Sequence, residues 1–392
     1  MKIVHVITRL ILGGAQENTL LSCREQARLG HEVTLLAGPP LGPEGSLLDA
    51  ARGEAFRTIL VPALRRAVHP WNDLVAYNDL LKNLRELRPD VVHTHSSKAG
   101  ILGRRAARAA GAACIVHTIH GLPFDAWQGS LANRACRAAE RRAARWSHRL
   151  IAVCADMADR AAEAGLAPRD RIAVIYSGID PEPFLAAADR REEVRRRWEV
   201  GPGDFVFLKI ARLFQLKGHK FVLPAFAAVA RRHAGARLVL VGEGILRPAL
   251  EAEVRRLGIA DRVRLLGLVP PDQIPGLLWA SDAVVHAGLR EGLARVLPQA
   301  GLCRRPVISY NVGGAREVLR DGRNGLLLPG PTRGEPIDAA SAMLADAMNR
   351  LADDPAQARR MGERWPDELL RQFDYRDATG RILRVYEDVL GV

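Results

Sequence analysis

Cysteine is sparse and unpatterned in this chain. Five occur among 392 residues, at Cys23, Cys114, Cys136, Cys154 and Cys303, and no two stand at Cys-x-x-Cys spacing. An odd, scattered set excludes a disulfide framework or a zinc ribbon and reads as reduced thiols in a cytosolic protein. Aromatic residues make up only 5%, too few for platforms that stack single-stranded bases. No zinc-finger, leucine-zipper or RNA-recognition signature occurs, so no nucleic-acid partner is expected. No apolar run reaches the ~18 residues that a membrane span needs, so any membrane contact is expected to be peripheral. The chain opens directly on strand-like sequence, Lys2 to Ile7, with no signal-peptide h-region, and the expected location is cytoplasmic. Also missing are His-Glu-x-x-His, any Asp-x-Asp, the Walker pattern and a full Gly-x-Gly-x-x-Gly. These absences predict no metal site and no NAD or ATP as cofactor.

What is present is a globular composition, 48% apolar and 26% charged, with a formal net charge of +13. The length suggests two domains, each able to bury its own core. The positive excess favours polyanions: nucleic acid, anionic lipid or phosphorylated small molecules.

Apolar strand-like runs recur at 2–7, 32–37, 58–62, 90–93, 114–119 and 149–154, separated by helical patterns rich in Ala, Leu and Arg. A further run at 172–176 leads to Ser177-Gly178-Ile179-Asp180-Pro181-Glu182-Pro183, a stiff junction that marks a domain boundary. Alternation then begins again, with strands at 205–210, 237–241, 263–266, 283–286 and 306–309. Helices are predicted over 221–233, 247–257, 275–280 and 316–320, and an amphipathic one over 375–390; 332–336 reads as a loop. The pattern predicts an α/β protein of two Rossmann-like, doubly wound domains, with ligand held beyond the carboxyl ends of the strands, in a cleft between the halves.

Several strand ends carry chemistry-bearing residues. Thr8 to Glu17 contains Gly13-Gly14, where the backbone could approach a phosphate or sugar, or simply pack tightly. His93 and His95 follow one predicted strand, and His120, in His120-Gly121-Leu122-Pro123-Phe124, follows another. Arg212 and Lys217 lie just past the 205–210 strand, two cations suited to a diphosphate or to a solvated basic turn. Val241-Gly242-Glu243-Gly244 is a fragment of a dinucleotide fingerprint. Leu289-Arg290-Glu291-Gly292-Leu293-Ala294 follows the 283–286 strand and offers a carboxylate, backbone N–H groups and a helix start. Pro298 would break that helix if it began at Gly292, so the helix either bends or starts later. Arg134, Arg137, Arg141, Arg142, Arg145 and Arg149 recur at near-helical spacing, as a helix lying on anionic lipid or as a solvated face.

Taken in order, Gly13-Gly14, His120 to Phe124, Arg212 with Lys217-Gly218, Val241 to Gly244 and Glu291 to Gln299 resemble the retaining glycosyltransferases of family 4, whose architecture is the two-Rossmann GT-B fold. The resemblance spans nearly the whole chain. It implies residues 1–181 as an acceptor domain, 182–374 as a nucleotide-sugar domain and 375–392 as a helix returning to the first. It implies that Arg212 and Lys217 bind the donor diphosphate, that Gly13 and Gly14 meet its phosphates, and that Glu291 touches the donor sugar. Gly292, Leu293 and Ala294 would offer backbone groups, and His120 would lie near sugar and acceptor. No metal or other cofactor is implied; the nucleotide-diphosphate sugar is a substrate.

The chain departs from the family pattern in two places. Gln299 stands where the second acid of Glu-x7-Glu usually binds ribose; its carbonyl still accepts hydrogen bonds, without the strength of a carboxylate. Tyr176-Ser177-Gly178-Ile179-Asp180 replaces the more usual Pro-Asn-Gly-Val-Asp. The expected activity is transfer from a UDP-sugar to a lipid-linked or polysaccharide acceptor, beside the inner membrane face, in cell-surface glycan synthesis. The competing readings are a nucleotide-sugar epimerase of the same fold, a non-catalytic nucleotide-sugar or glycan binder, and a nucleic-acid binder driven by charge alone.

Overall fold

A computed structural model describes all 392 residues. Two compact units form: Met1–Ile179 together with Gln372–Val392, and Asp180–Arg371.

The first unit is built on seven parallel strands: β1 Lys2–Ile7, β2 Glu32–Ala37, β3 Arg57–Leu60, β4 Val91–His95, β5 Cys114–Ile119, β6 Arg149–Ala152 and β7 Ile172–Val174. Their order is β3-β2-β1-β4-β5-β6-β7. Central strands are buried along nearly their whole length because helices cover both faces, which is why they read as unbroken apolar runs. The order reverses direction between β1 and β4, the place where a doubly wound sheet is expected to offer a ligand crevice beyond its strand ends.

The helix Tyr375–Leu390 belongs to this unit. Tyr375, Ala378, Ile382, Leu383 and Tyr386 recur at helical spacing and are buried. The last four of these join a core with Ile3, Ile7, Cys23 and Val116. The Asp374 carboxylate caps its start by accepting from Arg376 N–H at 2.8 Å, and Gly391 ends it at φ 74°. The junction segment is tied to the same place, with Tyr375 N–H donating to the Ile179 carbonyl at 3.0 Å and Tyr176 ring-packed on Phe373.

The second unit repeats the plan with six parallel strands: β8 Phe205–Ile210, β9 Ala236–Val241, β10 Val263–Gly267, β11 Ala283–His286, β12 Val307–Tyr310 and β13 Gly325–Leu328. The order β10-β9-β8-β11-β12-β13 places its reversal between β8 and β11. β13 and the helices Ile337–Asp353 and Pro355–Glu363 lie in a region to which the sequence patterning assigned only the loop at 332–336.

Two local readings are corrected and one open alternative, the later helix start, is resolved. His93 and His95 lie within β4 and are buried, because their ring nitrogens find hydrogen-bond partners inside. The helix after β11 is Val296–Leu302, so Gly292 to Ala294 are not helical and Pro298 sits in the first turn, where its missing N–H has no intrahelical role. The basic helix is Ser130–Ala144, and Arg149 belongs to β6. No helix is long and apolar enough to cross a membrane.

Candidate active site

In the second unit, the loops leaving β8 and β11 meet beside the topological reversal. The β8 loop carries Arg212 and Lys217; the β11 loop carries Glu291. Lys217 Nζ donates to Glu291 Oε1 at 2.6 Å, an ion pair between side chains only partly accessible to solvent. The pairing is held by backbone. Leu289 N–H donates to the Leu216 carbonyl at 2.9 Å, and Gly314 N–H to the Gly292 carbonyl at 2.8 Å. Gly218 follows Lys217 at φ +70°, and a Cβ there would fall on the Ala287 carbonyl. Gly288 likewise leaves the space that the Glu291 carboxylate occupies.

The Arg212 guanidinium lies over the Phe214 ring, 5.3 Å from its centre, and the Arg212 carbonyl faces His219 Nε2 at 3.0 Å. Gln299 is half-buried on Val296–Leu302. Gly292 and Leu293 are buried, and Ala294 is half-buried.

Beneath the ion pair lies a buried basic cluster that sequence reasoning missed. Lys209 on β8 is 1% exposed, and its Nζ has no hydrogen-bond partner. Burial pushes its pKa down to about 7, and nearby Lys217 pushes the same way against the pull of Glu291. Burial also lowers His286 to about 4 and His219 to about 3, so both rings are neutral. Burial alone would raise the Glu291 carboxyl; Lys217, His286 and Lys209 together outweigh it and hold the group below the ordinary carboxylate value. The result is a charged acid and ammonium at the strand ends, backed by two neutral histidine rings and a lysine about half charged near pH 7. A lone lysine inside an otherwise apolar strand was the available signal.

In the first unit, Gly13 precedes the helix Gly14–Arg28 as its N-cap, and Gly14, exposed, is its first residue. His120 directly follows β5 and is half-buried. Its Nε2 lies 3.1 Å from His95 Nδ1, whose Nε2 lies 2.9 Å from His5 Nδ1. His5, His93 and His95 cluster closely enough to suggest a metal site. However, all six of their ring nitrogens have protein hydrogen-bond partners, namely Gln26, Tyr386, Thr118, His120 and one another. Such rings are already committed, and no carboxylate or thiolate joins them as a ligand.

Beside the loop after β5 is an open hollow of about 430 Å³, lined by Phe124, Asp125, Asn133, Arg137, Arg160 and Glu163. The basic helix borders it. That helix is anchored by one acid, Glu140, whose carboxylate accepts from fully buried Arg104 Nη2 at 2.6 Å, while Arg134, Arg137, Arg141 and Arg142 remain exposed.

Comparison with known proteins decides the class. Residues 12–183 match the family model described as Glycosyltransferase Family 4, and residues 190–366 match that described as Glycosyl transferases group 1. The chain is a GT-B glycosyltransferase. It is 29% identical over 331 residues to the UDP-Gal:alpha-D-GlcNAc-diphosphoundecaprenol alpha-1,3-galactosyltransferase of Escherichia coli, with 84% of each chain covered. It is 27% identical over 400 residues to the glycogen synthase of Mycobacterium tuberculosis, covering 96% of this glycosyltransferase and 91% of that one. Among solved structures, Anabaena HepE in complex with UDP and glucose superposes with a TM-score of 0.82 at 21% identity, covering 98% and 99% of the two chains. The two-Rossmann architecture expected from the sequence is therefore the observed fold of this glycosyltransferase.

Proposed function

We propose that this glycosyltransferase belongs to the retaining, metal-independent enzymes of family 4 and takes its sugar from a nucleotide diphosphate, a UDP-sugar. The observation that carries this reading is the Lys217–Glu291 pair at the strand reversal of the second unit. The pair sets a cation where a diphosphate would lie and a carboxylate where sugar hydroxyls would lie. The UDP named for HepE and the UDP-Gal named for the Escherichia coli relative support the choice of donor.

In the reaction, the bond between the anomeric carbon and the diphosphate oxygen breaks. Negative charge grows on the leaving diphosphate and positive charge on the sugar ring. Arg212 and Lys217 stabilise the first, and fixed charges of this kind act most strongly where water is excluded. Glu291 accepts from donor-sugar hydroxyls. Backbone N–H groups of Gly292, Leu293 and Ala294 hold the phosphate and sugar, and Gln299 accepts from the ribose. Gly13 and Gly14 approach the phosphates, and His120 serves the sugar and the acceptor. The acceptor hydroxyl attacks the face the diphosphate leaves, and its proton passes to the departing phosphate oxygen, which retains the anomeric configuration. No side chain becomes covalently attached, and no metal is required by the charge balance, because Arg212 and Lys217 supply it.

The acceptor is a lipid-linked or polysaccharide intermediate of cell-surface glycan synthesis. The diphosphoundecaprenol named for the Escherichia coli relative supports this, as do the exposed arginines of Ser130–Ala144, which suit an anionic acceptor at the inner membrane face. The deciding experiment is Lys217→Ala. Transfer should fall by roughly 100-fold or more, the size seen when one preorganised charge-stabilising group is lost, measured well below the variant's melting temperature because Glu291 loses its ion-pair partner. Unchanged turnover would remove the diphosphate assignment.

A further inference from the structure

A continuous hydrogen-bonded chain in the first unit ends at His120. Gln26 Oε1 lies 2.8 Å from His5 Nε2, His5 Nδ1 lies 2.9 Å from His95 Nε2, and His95 Nδ1 lies 3.1 Å from His120 Nε2. Gln26, His5 and His95 are buried to within 1%.

A neutral imidazole has one N–H and one lone pair, so a ring that donates at one nitrogen must accept at the other. Burial keeps His5 and His95 neutral, lowering the first to about 4 and the second well below its ordinary value. The amide oxygen of Gln26 only accepts. His5 must therefore carry its proton on Nε2 and accept at Nδ1. His95 must then donate from Nε2 and accept at Nδ1, and His120 must donate from Nε2. Each ring passes the direction of the first bond to the next.

The same amide orientation sets a second branch. Gln26 Nε2 lies 3.5 Å from the Tyr386 hydroxyl, which lies 2.5 Å from His93 Nδ1, and His93 Nε2 lies 2.7 Å from Thr118 Oγ1. With the amide nitrogen donating to Tyr386, the hydroxyl donates to His93 and His93 donates to Thr118, so this branch is satisfied as well. Turning the amide over would reverse every bond in both branches and present N–H, rather than a lone pair, at His120 Nδ1.

We propose that Gln26 is a positioning residue: acting through His5 and His95, it fixes His120 as the tautomer protonated on Nε2, so that Nδ1 is the ring's acceptor for a hydroxyl of the sugar substrates. The inference rests on the reading that His120 serves the donor sugar or the acceptor. It adds that His120 acts there as a hydrogen-bond acceptor, selected by an amide two histidines away. The relay spans β1, β4 and the loop after β5, so the sheet holds its geometry rigid before any substrate arrives.

The test is imidazole ¹⁵N spectroscopy of the full chain labelled at histidine. In the unaltered protein, His120 should show the Nε2–H tautomer; an Nδ1–H tautomer or a charged ring near neutral pH would overturn the proposal. In Gln26→Leu, the anchor is gone and His120 should become a mixture of tautomers. Its kcat should fall by about tenfold, equivalent to ~1.4 kcal/mol in the barrier, while the donor KM stays within about twofold. His95→Leu cuts the relay without touching Gln26 and should give the same mixture. An unchanged tautomer in both variants would refute the relay. His120→Ala separates the two layers of the argument: a wild-type transfer rate there would remove His120 from the reaction, and with it the functional half of the proposal, whatever tautomer the spectra show.

Discussion

Mild acid should destabilise the first unit before its carboxylates titrate. His5, His93, His95 and His117 are all buried, and burial is the leading cause holding each below the ordinary value of 6.5, His5 at about 4 and the others well down. A folded-state value below the unfolded one means that the unfolded chain binds more protons. Stability is therefore fully present above pH 6.5 and is lost as the pH falls towards the folded values. At about pH 5.5 an unfolded ring is nine-tenths protonated and a native one almost not at all. Going from about pH 7 to about 5.5 then costs about 1.2 kcal/mol per ring, or roughly 5 kcal/mol for four. Domains of this size are typically stable by about 5–15 kcal/mol, so the loss is from about a third to the whole of that stability. Urea unfolding at stepped pH, with histidine ring signals followed in parallel, measures it. Replacing His5 by Gln should shrink the loss by about a quarter. Stability that stays flat over this range, or ring signals titrating near 6.5, would refute the reasoning that these four rings are buried and neutral.

Lys209→Met should raise the melting temperature at neutral pH. The buried ammonium has no partner, and its lowered pKa means that stability normally climbs between about pH 7 and 10.5; the variant should lose that climb, and a lower melting temperature would contradict the assignment. Gly218→Ala should destabilise the second unit by roughly 2–4 kcal/mol, from the positive φ and the collision with the Ala287 carbonyl. It should also weaken UDP binding by displacing Lys217, with differential scanning and titration calorimetry as the two measurements. Gln299→Glu should tighten UDP binding by about three- to tenfold, because a carboxylate makes the stronger hydrogen bond to ribose hydroxyls; calorimetric titration showing no change would separate Gln299 from the ribose.

Strands whose residues are apolar on both faces were legible in the sequence, and β1, β2, β5, β8 and β11 run where the patterning put them. Polar residues inside strands misled it. The predicted run 90–93 stops at His93 and leaves His95 in a loop because a histidine is ordinarily solvated, and the tertiary partners Tyr386, Thr118, His5 and His120 are what permit the burial of both. β13 reads Gly-Leu-Leu-Leu with no β-branched residue, so its apolar run could not be told from a helix segment. Lys217 and Glu291 were legible as charged residues just past strand ends, and the motif resemblance gave them their roles. Their contact could not be read from spacing, since 74 residues separate them and only the adjacency of β8 and β11 joins them. Lys209 and Gln26 carry no motif. Their importance lies in what surrounds a buried amine or amide, and that information exists only once the sheets have formed.

The first unit is assembled from two pieces of chain, 1–179 and 372–392, with the whole second unit between them. During synthesis the ribosome delivers Gln26, His93 and Cys23 hundreds of residues before the Tyr386 that covers them. The nascent first unit thus waits with an open seam, while 180–371 emerges as one uninterrupted stretch and can complete its own sheet first. The order of maturation is the reverse of the order of translation, and the seam is the surface a chaperone would have to guard.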